Sequence, residues 1–242
     1  MFTSKTVAPF HDRTDAGQKL ALRLRTYADR PDVLVLGLAR GGVPVALEVA
    51  RELNAPLDVF VVRKLGVPGH PEYAMGAIAS GGLEVINDEV VHSLRIPTSM
   101  INDVAAQELR ELSRREQLYR GPHLPLQIAG KTVIVVDDGI ATGSSMQAAI
   151  AALRSHEPAR IVVAVPVAAC EACEKVGAAV DELVCLIKPE SFIAVGQWYE
   201  DFRQIRDHDV HDLLARAAAG PRGARETLPQ LPLGSKNALP FH

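Results

Sequence analysis

Five short runs of continuous apolar residues, at 33–38, 57–62, 132–136, 161–165 and 183–187, constrain this chain more than any other feature. They are shorter than ordinary helices and lack the in–out alternation of a sheet with one wet face. Such runs, rich in Val and Ile, suit strands buried on both sides, as in a parallel sheet covered by helices. Helical patterns fall between them at 43–53, 99–119, 144–154 and 170–180. Strand and helix in alternation predict an α/β fold with an open, mainly parallel sheet flanked by helices. The chain is 242 residues long and 48% hydrophobic, enough for one large domain, expected over 1–219.

Two segments break the rhythm. Residues 63–82, RKLGVPGHPEYAMGAIASGG, hold five glycines and two prolines. That is long for a connection in a compact domain, and long connections are usually lids or binding segments. Residues 188–206 carry the one Trp and no clear sheet period. From 220 to 242, four prolines and three glycines in 23 residues predict an extended or disordered tail. Residues 99–119, which include the charged stretch ELRELSRRE, have Ile101, Ala105, Leu109 and Leu112 at helical spacing. They read as an amphipathic helix packed on the sheet, a face that a homodimer could also use.

Charge and cysteine content narrow the function classes. Lys and Arg total 26 against 29 Asp and Glu, a net charge of −3, which gives no support to a nucleic-acid partner. No apolar run approaches the roughly 20 residues of a membrane-spanning helix, and the opening residues lack the apolar core of a secretory signal. The expectation is a cytoplasmic, reduced protein. Cys170 and Cys173 form a C-x-x-C pair with no second pair to complete a zinc site, so helix packing is preferred to metal or redox chemistry. Cys185, on a buried strand, reads as core.

The chemistry concentrates in VIVVDDGIATGSSM, residues 133–146. An apolar strand runs into Asp137 and Asp138, then a small flexible loop, then hydroxyl residues that open a helix. In open α/β sheets ligands bind beyond the carboxyl ends of strands, where this turn must lie. Gly139 and Gly143 let backbone N–H groups approach an anion, and the helix from Ser144 adds its positive end. Thr142, Ser144 and Ser145 supply further donors. The combination suits a phosphate in the loop and a polyhydroxyl group against the two acids. Neither a G-x-x-x-x-G-K-[ST] loop nor a G-x-G-x-x-G fingerprint occurs.

This segment resembles the phosphoribosyl-pyrophosphate motif of type I phosphoribosyltransferases: four apolar residues, two acids, then T-G-x-[ST]. Leu38-Ala39-Arg40-Gly41-Gly42 resembles the family's pyrophosphate loop. Residues 63–82 sit where the family carries a mobile catalytic loop, and 188–206 where it carries a hood over the acceptor. The segments RKLG…AMGA and GQWYEDF are most similar to a bacterial branch of the family.

The resemblance implies roles for individual residues. Asp137 and Asp138 would hold the ribose hydroxyls. Gly139, Ile140, Ala141, Thr142, Gly143, Ser144 and Ser145 would hold the 5′-phosphate. Ala39, Arg40, Gly41 and Gly42 would grip pyrophosphate, with the peptide before Arg40 in the cis form common in the family. Arg40, Arg63 and Lys64 would stabilise the departing charge, although Arg63 and Lys64 also read as a solvated strand end. Mg²⁺ would bridge donor oxygens near Asp137 and Asp138 through water, with no direct protein ligand. The partners implied are phosphoribosyl pyrophosphate and a small nitrogenous acceptor. Phe192 belongs to the hood; Trp198 and Tyr199 either stack on a planar acceptor or are core residues that pin the hood. One departure is Ala141, where relatives acting on 6-oxopurines carry an acid; His70 and Glu72 are candidates to handle the proton, or are simply exposed. A regulatory protein that senses phosphoribosyl pyrophosphate or a nucleotide is the competing reading, opposed by the retention of both the pyrophosphate loop and a long lid.

Overall fold

The computed structural model of the chain describes residues 10–121 and 127–219, apart from the side chains of Pro71 and Glu72. The predicted tail at 220–242 therefore lies outside the described residues. Five parallel strands form the central sheet: β1 (Val33–Leu38), β2 (Leu57–Phe60), β6 (Thr132–Val136), β7 (Arg160–Val167) and β8 (Glu182–Ile187), in the order β2-β1-β6-β7-β8. Every residue of β1 and β6 is buried. Alternate side chains serve two cores, as the two-residue period of a strand requires. Leu34, Leu36, Val133 and Val135 pack beneath α5 (Ser144–Arg154) and α6 (Cys170–Gly177). Val33, Val35, Ile134 and Val136 pack beneath α1 (Arg13–Arg23) and α2 (Gly42–Leu53). The expected layered α/β architecture is present.

The run at 57–62 is not one strand. β2 stops at Phe60, and Val62 begins β3 (Val62–Val67) of a second sheet. Buried Ser80 pins this corner: its Oγ accepts from the Val61 N–H at 2.9 Å, and its own N–H donates to the Val61 carbonyl at 2.8 Å. The segment 63–82, read from sequence as a long connection, is largely an antiparallel ribbon of β3 and β4 (His70–Ala79), joined by β5 (Leu83–Ile86) in the order β3-β4-β5. Its small residues, Ala74, Gly76, Ala77 and Ala79, carry little of the apolar contrast by which strands are recognised.

Two further helices, α3 (Asp88–Leu94) and α4 (Thr98–Arg120), follow the ribbon. The amphipathic pattern of α4 is as expected, but its partner is different. Ala105 and Leu112 pack with Leu65, Met75 and Ile78 of the ribbon and with Val210 of α7 (Asp207–Ala218). Among the described residues α4 meets the central sheet only at its edge strand β2, through Val59 and the bond from Arg120 Nε to Asp58 at 2.9 Å. Leu109 stands at the solvent edge, 37% exposed, because ribbon and α7 together cover a narrower stripe than the spacing suggests. Helices α1 and α3 lie in stretches for which the sequence predicted nothing.

Candidate functional site

The chain leaves β1 for β2 on one side of the sheet and leaves β6 for β7 on the other, while β1 and β6 are neighbours. A crevice between two carboxyl ends is the expected ligand site of an open α/β sheet. In register, Gly37 of β1 pairs with Val136 of β6, so the loops that follow, 39–42 and 137–145, emerge side by side. They touch. A Cβ built on Gly41 would lie 2.1 Å from Asp138 Oδ2, and one on Gly42 would lie 2.4 Å from the Val136 carbonyl oxygen. Only glycine permits this approach of the Arg40 loop to the paired acids. The Ala39–Arg40 peptide is cis, as the resemblance implied.

The acids differ in their surroundings. The Asp138 N–H donates to Asp137 Oδ1 at 2.9 Å. Burial, and then the adjacent Asp138 carboxylate, hold the Asp137 carboxyl well above the usual carboxylate range. Burial also pushes Asp138 up, against the opposing pull of the Arg13 guanidinium. That guanidinium comes from the start of α1: Arg13 Nε donates to Asp138 Oδ2 at 2.8 Å, and Nη1 donates to the Arg203 carbonyl at 2.9 Å. Arg13 was not among the sequence candidates. Nothing local marks it, since it lies 125 residues from its carboxylate.

Beyond the acids the chain makes a tight loop into α5. Gly143 has φ +81°, the left-handed region that favours glycine, and directs Ser144 and Ser145 into the first helical turn. Thr142 Oγ1 lies 3.2 Å from Ser144 Oγ and accepts from the Ser144 N–H at 3.4 Å, so hydroxyls ring the helix start. Ala141, Thr142, Ser144 and Ser145 are exposed. Ile140 departs from its expected part. Its side chain is buried in the core beneath α5, its N–H donates to the Val167 carbonyl, and its carbonyl accepts from Ala169 N–H, each near 3 Å. It anchors the loop to the end of β7, and its N–H is not available to an anion.

The hood at 188–206 divides its aromatic residues. Phe192 lines a cleft of about 440 Å³ together with Ala141, Thr142, Ala169 and Lys175. Tyr199, 6% exposed, does not face that cleft. Its ring packs at 5.5 Å from Phe10 and 5.0 Å from Phe202, and its hydroxyl donates to the Asp138 carbonyl at 2.5 Å. Trp198 packs in the same cluster, beside Val195 and Phe192. Of the two readings left open, Tyr199 is placed as a core residue, whereas Trp198 is half-buried at the edge of the same cluster with its buried indole Nε1 unpartnered among the described residues.

The candidate cations are less closely gathered. Arg40 is half-buried and its Nη1 lies 3.5 Å from Asp207 Oδ1 at the start of α7. Arg63 on β3 is committed to Glu108 of α4, at 2.6 Å. Lys64 is exposed, one position on along the same strand. His70 is exposed at the start of β4, and the Glu72 side chain lies outside the described residues. Cys170 is exposed, Cys173 buried and Cys185 half-buried, and among the described residues no group of three or more His, Cys, Asp or Glu could hold a metal. No helix of the described residues is long and apolar enough to cross a membrane.

Comparison with known proteins agrees with this geometry. A family model described as a phosphoribosyl transferase domain matches residues 6–202. A Mycobacterium tuberculosis protein with the provisional name of phosphoribosyl transferase is 45% identical over 208 residues, 86% of this chain and 47% of its own length. The chain thus spans about half the length of the curated relatives it matches. The crystal structure of the protein TT1426 from Thermus thermophilus is 42% identical, with a TM-score of 0.76 over 86% of this chain and 98% of that one. With most of its length matched in both sequence and fold, the chain belongs to the phosphoribosyl transferase domain family.

Proposed function

We propose that this protein transfers a 5-phosphoribosyl group from phosphoribosyl pyrophosphate to a nitrogenous acceptor and releases pyrophosphate. The observation that supports this most is the contact of Gly41 and Gly42 with the paired acids. Groups suited to pyrophosphate, to ribose hydroxyls and to a 5′-phosphate then follow one another along one crevice. Asp137 and Asp138 would accept from the ribose hydroxyls. Backbone N–H groups at the start of α5, with Thr142, Ser144 and Ser145, would hold the 5′-phosphate. Arg40 and the Ala39–Gly42 backbone would meet pyrophosphate, and Phe192 would offer an aromatic face to the acceptor.

In the reaction the bond from C1 of the sugar to the pyrophosphate oxygen breaks and the oxygen keeps the electron pair. The acceptor nitrogen forms the new bond to C1. The chain's own contribution is to fix the donor and to meet the departing charge. Arg40 would exchange Asp207 for pyrophosphate, and Arg63 would have to exchange Glu108 to take part; Lys64, next along β3, projects to the opposite face of the ribbon. Mg²⁺ held near Asp137 and Asp138 through water and donor oxygens is what the family resemblance implies. Bound Mg²⁺ would neutralise part of the pyrophosphate charge. Ala141 leaves the loop without an acid beside the acceptor, which supports an acceptor other than a 6-oxopurine.

The test is an acceptor screen with phosphoribosyl pyrophosphate and Mg²⁺, offering bases, pyridines and amines and following pyrophosphate release. Release that depends on one acceptor class is expected. Failure to bind the donor would contradict the proposal, and tight binding without turnover on any acceptor would favour the sensor.

A further inference from the structure

Asp138 is held from two remote parts of the chain at once. Arg13, 8% exposed, spends its guanidinium on three partners: Asp138 Oδ2 at 2.8 Å, the Arg203 carbonyl at 2.9 Å, and the Phe202 ring, whose centroid lies 3.8 Å from Cζ. Tyr199 fixes the backbone of the same residue through the Asp138 carbonyl. Gly41 lies against the carboxylate from the other loop, where an added Cβ would meet Oδ2 at 2.1 Å. The geometry of this carboxylate is therefore set from outside the motif that contains it. The three partners match the planar fork of a guanidinium, with edge donors for two oxygens and a face for a ring; an ammonium cannot serve all three.

Resting on the proposed donor site, we propose that Arg13 is a positioning residue for the donor's ribose, engaging Oδ2 of Asp138 so that Oδ1 is presented to a sugar hydroxyl. Arg13 also makes that presentation depend on the hood, because the residues that seat its guanidinium, Phe202 and Arg203, lie there. A correctly closed hood and a correctly aimed ribose acid are one arrangement. No contact of Arg13 with the phosphate loop is needed for this, so its effect is confined to ligands that carry the sugar.

That confinement supplies the test. Dissociation constants for phosphoribosyl pyrophosphate and for inorganic pyrophosphate, each with Mg²⁺, are measured by calorimetry on wild type, Arg13→Gln, Arg13→Lys, Asp138→Asn and the Arg13→Gln/Asp138→Asn double variant. Arg13→Gln should weaken the sugar donor roughly ten- to a hundredfold, the range expected for a charge-assisted hydrogen bond, and leave inorganic pyrophosphate within about twofold. Arg13→Lys should recover only part of the loss. The double variant should bind the sugar donor about as Asp138→Asn does alone, since both changes break one interaction. Equal weakening of both ligands, additive losses, or an unchanged sugar donor in Arg13→Gln would each overturn the inference. If Arg13→Gln does not fold, Phe202→Leu removes the aromatic seat of the guanidinium, keeps an apolar side chain against Tyr199, and should give the same selective loss at smaller size; equal or no loss there overturns it too. Wild type that fails to bind the sugar donor overturns the donor site itself, whereas a weakened Asp138→Asn beside an unaffected Arg13→Gln overturns this inference alone.

Discussion

At the scale of single residues, the two acids set function against stability. Asp137 is held above its unfolded value by burial and by Asp138, so the protonated form is the one the fold favours. That contribution is complete below the ordinary carboxylate value of 3.8 and is lost as pH rises through the folded value, so at higher pH the fold must hold this proton or bury a charge. Asp137→Asn keeps an oxygen to accept the Asp138 N–H and removes that charge. It should raise the melting temperature near pH 7 by a few degrees, roughly 1 kcal/mol at about 2–4 °C each, with the gain shrinking toward pH 4. Donor affinity should fall in the same variant. A lower melting temperature at neutral pH would mean that Asp137 is stabilising as an ion. Arg40 is the opposite case. Its contact with Asp207 is long, at 3.5 Å, and partly exposed, so Arg40→Ala should cost no more than about 1 kcal/mol of stability in a urea melt. Turnover should drop at least a hundredfold, as for other groups that meet developing charge. The acids stood out in the sequence because an apolar strand runs straight into them, and the Gly-Gly loop because it resembles a family motif. Arg13 did not, because its partner is fixed by the packing of α1 and not by any neighbour in the chain.

At the scale of elements, the inner strands of the central sheet were the most legible, since burial on both faces leaves no choice but continuous apolar side chains, whereas the edge strands β2 and β8 are largely half-buried. β1 and β6 begin and end where the apolar runs do. The ribbon of β3 and β4 was not legible: Gly, Ala and Pro dominate it, and its register is broken by irregularities at Leu65 to Val67. The face of α4 was half legible. Its apolar spacing was correct, but the partner was the ribbon and α7, and Leu109 fell outside the contact. Two truncations measure this directly. Leu112→Ala, at 1% exposure, should cost about 2–5 kcal/mol in equilibrium unfolding. Leu109→Ala should stay within about 0.5 kcal/mol of wild type. Comparable losses at both positions would show that a surface beyond this chain's ribbon covers Leu109.

At the scale of the whole molecule, the sheet order places two loops of unrelated sequence at one switch point, and residues 188–206 are tied to the second of them through Tyr199 and Arg13. Phe192 faces the cleft, while Tyr199 and Trp198 hold the hood to the first described residues around Phe10. The sequence left that choice open because an aromatic residue looks the same whether it packs on protein or on a ligand. The central claim, that the crevice between β1 and β6 is a phosphoribosyl site, is tested most directly by a crystal structure with ribose 5-phosphate, pyrophosphate and Mg²⁺. The 5′-phosphate should lie against the N–H groups at the start of α5 beside Thr142 and Ser145. The ribose hydroxyls should reach Asp137 and Asp138, and pyrophosphate should lie along Ala39 to Gly42. A sugar phosphate bound elsewhere, with the crevice filled only by water at saturating ligand, would contradict the account.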